Sequence, residues 1–146
     1  MPTFSLGIRC TEDEVSEIVY LEPCPEIKPQ GLLAMEVVRQ LRVYLNDPQH
    51  AFSLPLAPAG TAFQRKVWQS IAAIRPGATQ TYGALAQVIG SGPRAVGNAC
   101  GANPYPLVVP CHRVVAANQG LGGFARQRGG FLLDVKRWLL QHEGSR

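Results

Sequence analysis

The chain opens with two stretches in which apolar and polar residues alternate. Phe4, Leu6 and Ile8 occupy every second position of the first stretch, and the second stretch begins at Val15 after the polar residues 11–14. A period of two is typical of a β-strand, because successive side chains point to opposite faces. The pattern therefore predicts a β-hairpin. Three prolines between positions 23 and 29 then interrupt regular structure.

Helical spacing of apolar residues dominates the rest of the chain. It predicts five helices, over residues 33–45, 61–74, 81–89, 94–102 and 131–143. Thr61 and Gln64 form a capping box, in which each side chain satisfies a backbone N–H at the helix start. Thr81 is placed to cap the third helix, and Gly144 can terminate the last one. The apolar residues 107–109 predict a short buried strand.

The Pro- and Gly-containing residues 55–60 are the best candidate for a domain boundary. We expect an N-terminal α/β part over residues 1–54 and a C-terminal domain over 55–146. Within that domain, the helices 81–89 and 94–102 form a helix-turn-helix arrangement, which suits DNA binding but also occurs as plain scaffolding. The sequence thus predicts an α/β fold, in which a small β-hairpin or sheet with a helix precedes a mostly helical, winged-helix-like domain.

Charge is unevenly distributed along the chain. Residues 1–59 carry four basic and eight acidic residues, a balance of −4, whereas residues 60–146 carry ten basic and two acidic residues, a balance of +8. A basic block of this kind is typical of proteins that bind a polyanion, nucleic acid first. A basic surface that is merely solvated would give the same count.

Composition argues against membrane, secreted and metal-binding classes. No apolar run is long enough to span a bilayer and the N-terminus lacks the features of a leader, so we expect a soluble, cytoplasmic protein, nucleoid-associated in a bacterium. The cysteines are too few and too scattered for a disulfide framework. Cys10 and Cys24 could bind a metal, but they form no C-x-x-C pair and the nearest histidine is His50, so we expect no metal site.

Cys111 is the strongest candidate for chemistry, because His112 and Arg113 follow it directly. A neighbouring base or cation favours the nucleophilic thiolate. Neighbouring residues of a strand point to opposite faces, so His112 would reach Cys111 only through a turn of the backbone or a bridging water. A buried structural cysteine and a cysteine hydrolase remain alternatives. Glu143 could orient a histidine or simply sit in the last helical turn.

Residues 110–114, Pro-Cys-His-Arg-Val, resemble the active-site motif of the O6-alkylguanine-DNA alkyltransferases, also called methylated-DNA–[protein]-cysteine S-methyltransferases. Other motifs of that family follow its order and approximate spacing. They occupy residues 60–68, 81–83, 94–97, 103–104 and 138–144. The resemblance covers residues 55–144.

The resemblance implies direct reversal of DNA damage. The thiolate of Cys111 would take a methyl or alkyl group from O6 of guanine in double-stranded DNA, irreversibly and once per molecule, without a metal or organic cofactor. His112 would deprotonate Cys111 through a water, and Glu143 would hold His112 in place. Tyr82 matches the tyrosine that protonates the departing guanine.

The family's mode of DNA binding implies a further set of roles. The damaged nucleotide would turn out of the duplex, with Arg94 filling its place and Asn103 acting as a hinge. Helix 94–102 would enter the minor groove of DNA, and the protein would act as a monomer. Small or polar residues expected at the DNA are Thr81, Ala95, Gly97 and Ala102. Residues expected to line the substrate pocket are Pro110, Val114, Phe124 and Ala125.

The chain departs from the family pattern in two places. The segment before residue 55 is shorter than in many members and only vaguely similar. In the Gly-rich loop 120–130, Ala125 stands where many members have serine, and residues 126–128 resemble an insertion, which leaves the range of accepted alkyl groups open. A related group of proteins binds such lesions without repairing them and lacks the cysteine, so Cys111 argues against a pure lesion sensor.

Overall fold

The structure is a computed structural model that describes residues 4–117 and 130–144. Its N-terminal feature is the predicted hairpin, in which β1 (Ser5–Cys10) pairs antiparallel with β2 (Val15–Leu21). The hydroxyl of Thr11 accepts hydrogen bonds from the backbone N–H groups of Asp13 and Glu14, which stabilises the turn. The hairpin prediction is confirmed.

Helix α1 (Leu32–Asn46) follows the proline-rich segment and packs one face against the rest of the molecule. Its buried side chains recur at three- to four-residue intervals, as an amphipathic helix requires. They are Val37, Gln40, Leu41 and Tyr44. The last of these lies at the candidate site described below.

The C-terminal part contains α2 (Ala62–Ala72), α3 (Tyr82–Ile89), α4 (Pro93–Gly101) and α5 (Phe131–His142). The capping box of Thr61 and Gln64 forms with hydrogen bonds of 3.1 and 2.9 Å. Gly90 ends α3 at a φ of 80°, a left-handed conformation that glycine adopts without strain and that turns the chain into α4. Helices α3 and α4 pack against each other as a helix-turn-helix. The predicted fold class is confirmed.

The prediction of a strand at residues 107–109 is wrong. Leu107 has a φ of 75°, and the N–H of Val109 donates to the carbonyl of Tyr105, 2.8 Å away, so the segment is a tight turn. Prolines at 104 and 106 restrict the backbone that leads into this segment. The strand that does form is β4 (Val114–Val115), which pairs in parallel with β3 (Gln80–Thr81).

The hairpin and α1 pack directly onto the C-terminal helices. The N–H of Ile18 donates to the carbonyl of Pro104 at 2.9 Å, and the rings of Phe4 and Trp138 lie 5.5 Å apart, edge to face. One hydrophobic core therefore extends across the predicted boundary at residue 55, which itself stays a prediction. Within residues 4–117 and 130–144, no helix has the length and apolar character to cross a membrane.

Candidate active site

Cys111 begins a 3₁₀ helix, Cys111–Arg113, that follows the turn described above. The side chain of Cys111 is buried, with 4% of its surface exposed. Because the backbone coils here instead of continuing as a strand, Cys111 and His112 are not forced onto opposite faces. The opposite orientation of neighbouring side chains, which a strand would have imposed on Cys111 and His112, is therefore absent.

Asn103 holds the thiol in place. Its side-chain amide donates to Sγ of Cys111 at 3.3 Å and to the carbonyl of Val109 at 2.8 Å, while its oxygen accepts from the N–H of Tyr105 at 2.8 Å. The amide is therefore fixed by three bonds between the end of α4 and the 3₁₀ helix. This location is compatible with the predicted hinge, which stays a prediction.

His112 and Glu143 form a buried pair. Nε2 of His112 lies 2.8 Å from Oε2 of Glu143, and neither side chain is exposed to solvent. The carboxylate also accepts two hydrogen bonds from the guanidinium of Arg113, both at 2.9 Å, and one from the hydroxyl of Tyr44, at 2.6 Å. Arg113 is itself tied to the carbonyl of Ile74 at 2.7 Å.

The charge state of this pair follows from its partners. Burial alone would raise the pKa of Glu143, but the hydrogen bonds from His112, Arg113 and Tyr44 outweigh it and lower that pKa. Burial lowers the pKa of His112, against the opposing pull of Glu143. At neutral pH an ionised Glu143 therefore accepts from the Nε2–H of a neutral imidazole.

Nδ1 of His112 is the ring atom that can accept a proton. Its neighbour Nε2 is committed to Glu143, and among the described residues no group forms a hydrogen bond with Nδ1. A neutral imidazole with one nitrogen held by a carboxylate is the arrangement that general-base catalysis uses.

A second thiol, Cys100 on α4, lies beside Cys111. The hydrogen bond between the two thiols and burial raise the pKa of Cys111, whereas the amide of Asn103 and the charge of Lys136 lower it. Lys136 is fully buried on α5, and its Nζ donates to the carbonyl of Val114 at 2.8 Å. Burial lowers the pKa of Lys136 to about 8.

Tyr82, at the start of α3, faces the same group of residues. Nζ of Lys136 lies 5.8 Å from the centre of its ring, within the range of a cation–π contact. Burial and the nearby Cys100 and Cys111 raise the pKa of Tyr82, so its hydroxyl keeps its proton at neutral pH. The structure thus brings together Cys111, His112, Glu143, Tyr82 and Asn103, all singled out from the sequence.

The predicted DNA-contacting residues occupy the helix-turn-helix. The hydroxyl of Thr81 accepts from the N–H of Ala84 at 3.0 Å and caps α3, while Arg94 is exposed in the first turn of α4. Ala95 and Gly97 lie further along α4, and Ala102 caps its C-terminus. A Cβ atom at Gly97 would lie 4.0 Å from the ring of Tyr82, an ordinary contact, so packing within the protein does not require glycine at this position.

A cavity of about 240 Å³ lies beside Cys111. It is bounded by strand β2 on one side and by the segment from Cys100 to Cys111 on the other, including Asn103 and Pro106. Pro110 and Val114 are buried on either side of the 3₁₀ helix, and neither is among the described residues that line this cavity. Phe124 and Ala125, the other two predicted pocket residues, lie outside the described residues.

Sequence reasoning missed four side chains of the site: Tyr44, Cys100, Arg113 as a partner of Glu143, and Lys136. The sequence does carry a signal for Lys136, because it lies three and four positions before the buried Leu139 and Leu140 and therefore on the apolar side of the helix. No motif marks Tyr44 or Cys100. Within the part of the chain that the structure describes, no group of three or more His, Cys, Asp or Glu side chains could hold a metal ion.

Comparison with known sequences finds similarity to one family. A family model described as "6-O-methylguanine DNA methyltransferase, DNA binding domain" matches residues 62–145. The chain is 45% identical over 112 residues to a methylated-DNA–protein-cysteine methyltransferase of Methanosarcina acetivorans, a match that covers 75% of this chain and 69% of the relative. It is 41% identical to the constitutive methylated-DNA–protein-cysteine methyltransferase of Bacillus subtilis, covering 70% of this chain and 65% of the relative. The matched segments thus span about two thirds of these relatives.

Similarity to solved structures extends over nearly the whole chain. The structure of Mycobacterium tuberculosis OGT in complex with DNA superposes with a TM-score of 0.80 at 33% sequence identity, and the match covers 96% of this chain and 86% of that one. An O6-methylguanine DNA methyltransferase from Methanococcus jannaschii gives a TM-score of 0.70 at 26% identity and covers 99% of this chain and 90% of that one. The N-terminal part, only vaguely similar in sequence, is therefore included in the shared fold.

Proposed function

Because the chain belongs to the family of O6-methylguanine-DNA methyltransferases, we propose that Cys111 is the residue that accepts the alkyl group from O6-alkylguanine in double-stranded DNA. Membership in this family implies direct reversal of DNA damage by alkyl transfer to a cysteine. The observation that carries the assignment to Cys111 is the neutral, buried His112 next to it, held at Nε2 by an ionised Glu143.

The transfer is a direct displacement at the alkyl carbon. Sγ of Cys111 forms a bond to that carbon while the bond from the carbon to O6 of guanine breaks, and the bonding electrons leave with the guanine. Because its surroundings raise the pKa of the thiol, little thiolate exists at rest, and removal of the proton is coupled to the reaction. A water passes that proton to Nδ1 of His112. The thioether product is stable, so each molecule acts once.

Tyr82, Lys136 and Asn103 are the remaining side chains of the proposed site. The hydroxyl of Tyr82, which keeps its proton at neutral pH, donates to the departing guanine so that the base does not leave as an anion. Lys136 supplies the buried positive charge that favours the thiolate of Cys111. The amide of Asn103 directs Sγ by its hydrogen bond.

The helix-turn-helix delivers the damaged base. Helix α4 enters the minor groove, where Ala95, Gly97 and Ala102 allow close approach of the backbone, and Arg94 occupies the space of the extruded nucleotide. Binding depends mainly on phosphate contacts and is therefore sensitive to salt. The protein acts as a monomer, in the compartment that holds the genome, which in a bacterium is the cytoplasm.

Intact-protein mass spectrometry after incubation with duplex DNA containing O6-methylguanine tests the assignment. We expect one added methyl group, located on the peptide that contains Cys111. Cys111→Ala should lose the transfer and keep DNA binding, whereas Cys24→Ala, which removes an exposed thiol, should transfer normally.

Two other outcomes would contradict this assignment and support a different function. Binding of the lesion by an unmodified wild-type protein would indicate a sensor. Turnover of esters or amides without DNA would indicate a cysteine hydrolase.

A further inference from the structure

Tyr44 reaches the catalytic pair from the N-terminal part of the chain. It lies on α1, with 1% of its surface exposed, and its hydroxyl donates to Oε2 of Glu143 at 2.6 Å. Ninety-nine positions separate the two residues in sequence. The backbone carbonyl of Tyr44 also lies 2.8 Å from Nε2 of His142, the residue before Glu143. Helix α1 is therefore attached to the end of α5 at two adjacent points.

Tyr44 and His112 share one oxygen atom of Glu143. Oε2 lies 2.6 Å from the hydroxyl of Tyr44, 2.8 Å from Nε2 of His112 and 2.9 Å from Nη2 of Arg113, whereas Oε1 accepts only from Nε of Arg113 among the described residues. A carboxylate has about four acceptor sites on its two oxygens, so three donors at one oxygen compete for its negative charge. The hydroxyl of Tyr44 must donate, because an ionised carboxylate has no proton to give.

We propose that Tyr44 is a positioning residue for the alkyl transfer, holding Oε2 of Glu143 where it accepts the hydrogen bond from His112 and sharing the negative charge of that oxygen. This inference rests on the proposed role of Cys111, His112 and Glu143. It adds that the N-terminal part contributes a side chain to the proton relay. Tyr44 does not touch the reacting atoms and acts only through Glu143.

Several titratable or charged groups surround the His112–Glu143 pair. Arg113 belongs to the 3₁₀ helix, Lys136 to α5 and Tyr20 to β2, and all three interact electrostatically with members of the pair or with Tyr44. Arg113 and Lys136 lower the pKa of His112, and Glu143 raises it. Removal of the Tyr44 hydroxyl leaves these groups in place. It takes away one of the three donors at Oε2, so more of the negative charge of Oε2 is available to the N–H of His112.

Tyr44→Phe should therefore raise the pKa of His112. With one donor fewer, Oε2 binds the proton on Nε2 more strongly and stabilises the imidazolium, which cannot act as a base. The acidic limb of the rate–pH profile should move to higher pH by about 0.5 to 1 unit, a fraction of the 1 to 3 units that a full charge partner produces. In the pH range where the rate rises with pH, transfer by the variant should be about 3- to 10-fold slower than transfer by the wild type, since one pKa unit corresponds to a factor of ten.

The test combines single-turnover transfer rates from about pH 5 to about 8.5 with nitrogen-15 NMR titration of the three histidines. Tyr105→Phe is the matched control, because it also removes a tyrosine hydroxyl that is bound to a neighbour, here the carbonyl of Ala57 and not a member of the pair. We expect the His112 titration and the acidic limb to shift together in Tyr44→Phe and to stay at the wild-type position in Tyr105→Phe. An unchanged His112 titration in folded Tyr44→Phe would overturn the proposal.

A variant with 3-fluorotyrosine at position 44 covers the case in which Tyr44→Phe fails to fold. Its more acidic hydroxyl donates more strongly, so the pKa of His112 and the acidic limb should shift to lower pH, opposite to the Phe variant. A shift in the same direction as Phe, or none, would contradict the proposal. If wild-type protein failed to transfer to Cys111 at all, the proposed function would fail instead, and the two failures are thus distinguishable.

Discussion

At the scale of single residues, the site combines groups that favour and disfavour a thiolate at Cys111. Burial and the partner thiol of Cys100 disfavour it, while Asn103 and Lys136 favour it. The balance leaves Cys111 protonated at rest and dependent on His112, which burial keeps neutral. A thiol that is protonated at rest reacts slowly with adventitious alkylating agents, which suits the single-use acceptor proposed for Cys111.

Lys136→Met should slow alkyl transfer at neutral pH. The substitution keeps the length of the side chain and removes the positive charge, so the pKa of Cys111 rises further and the rate falls, by up to about 10-fold. Because the pKa of Lys136 is about 8, the wild-type protein loses the same charge above that pH, and the difference between the two should shrink there. Single-turnover rates from about pH 6.5 to about 9.5 measure both effects.

Arg137→Met is the matched control for that experiment. Arg137 is the next residue on α5, is half-exposed and pairs with Asp134 at the surface. An equal loss of rate in both variants would show that net charge, and not the buried position of Lys136, sets the rate.

At the scale of secondary-structure elements, the helix-turn-helix is fixed to the site by specific contacts. Nε1 of Trp68 on α2 donates to the carbonyl of Ala99 on α4 at 2.8 Å, and Asn103 connects the end of α4 to Cys111. Helix α4, the proposed DNA-contacting element, thus carries Cys100 and ends two residues before Asn103, whose amide contacts the sulfur of Cys111. A shift of α4 on binding DNA would therefore be transmitted through Asn103 to the thiol of Cys111.

Arg94→Ala should impair repair of duplex DNA more than reaction with the free base O6-methylguanine. If Arg94 fills the space of the extruded nucleotide, its loss matters only when a nucleotide has to leave the stack. Arg75→Ala, which also removes an exposed positive charge, is the control. Equal losses on both substrates, or equal losses in both variants, would exclude a role in extrusion. Transfer rates on the two substrates at fixed salt provide the measurement.

At the scale of the whole molecule, the buried cluster around Glu143 joins the N-terminal part, the 3₁₀ helix and α5. It therefore stabilises the fold and also contains the groups proposed for catalysis. Removing one partner of such a buried charged pair typically costs about 3 to 5 kcal/mol, because the other charge is left uncompensated. The site cannot be altered at Glu143 without weakening the contact between the two parts of the chain.

Stability should fall as the pH drops below about 7, and it should continue to fall below about 4. The pKa of His112 is lowered on folding, so its contribution is present above its unfolded value of about 6.5 and is lost below it. The pKa of Glu143 is also lowered, so its contribution is lost as the pH falls below the unfolded value of about 4.3. Urea unfolding at a series of pH values measures the free energy of unfolding, and Glu143→Gln should be less stable with a flatter dependence below about pH 5. A wild-type free energy of unfolding that rises on acidification would contradict this expectation.

The sequence by itself predicted the hairpin and the five helices and singled out the proposed reactive group. The period-two pattern predicted the hairpin, the capping box predicted the start of α2, and the PCHRV motif pointed to Cys111, because these signals are local and depend on neighbours a few positions away. The tertiary structure decided what surrounds that group. Two prolines and a left-handed Leu107 replaced the expected strand by a turn, and packing brought Tyr44, Cys100 and Lys136 to the site. No local pattern encodes these contacts, because residues as far apart as 44 and 143 meet only when burial of the shared core brings their elements together.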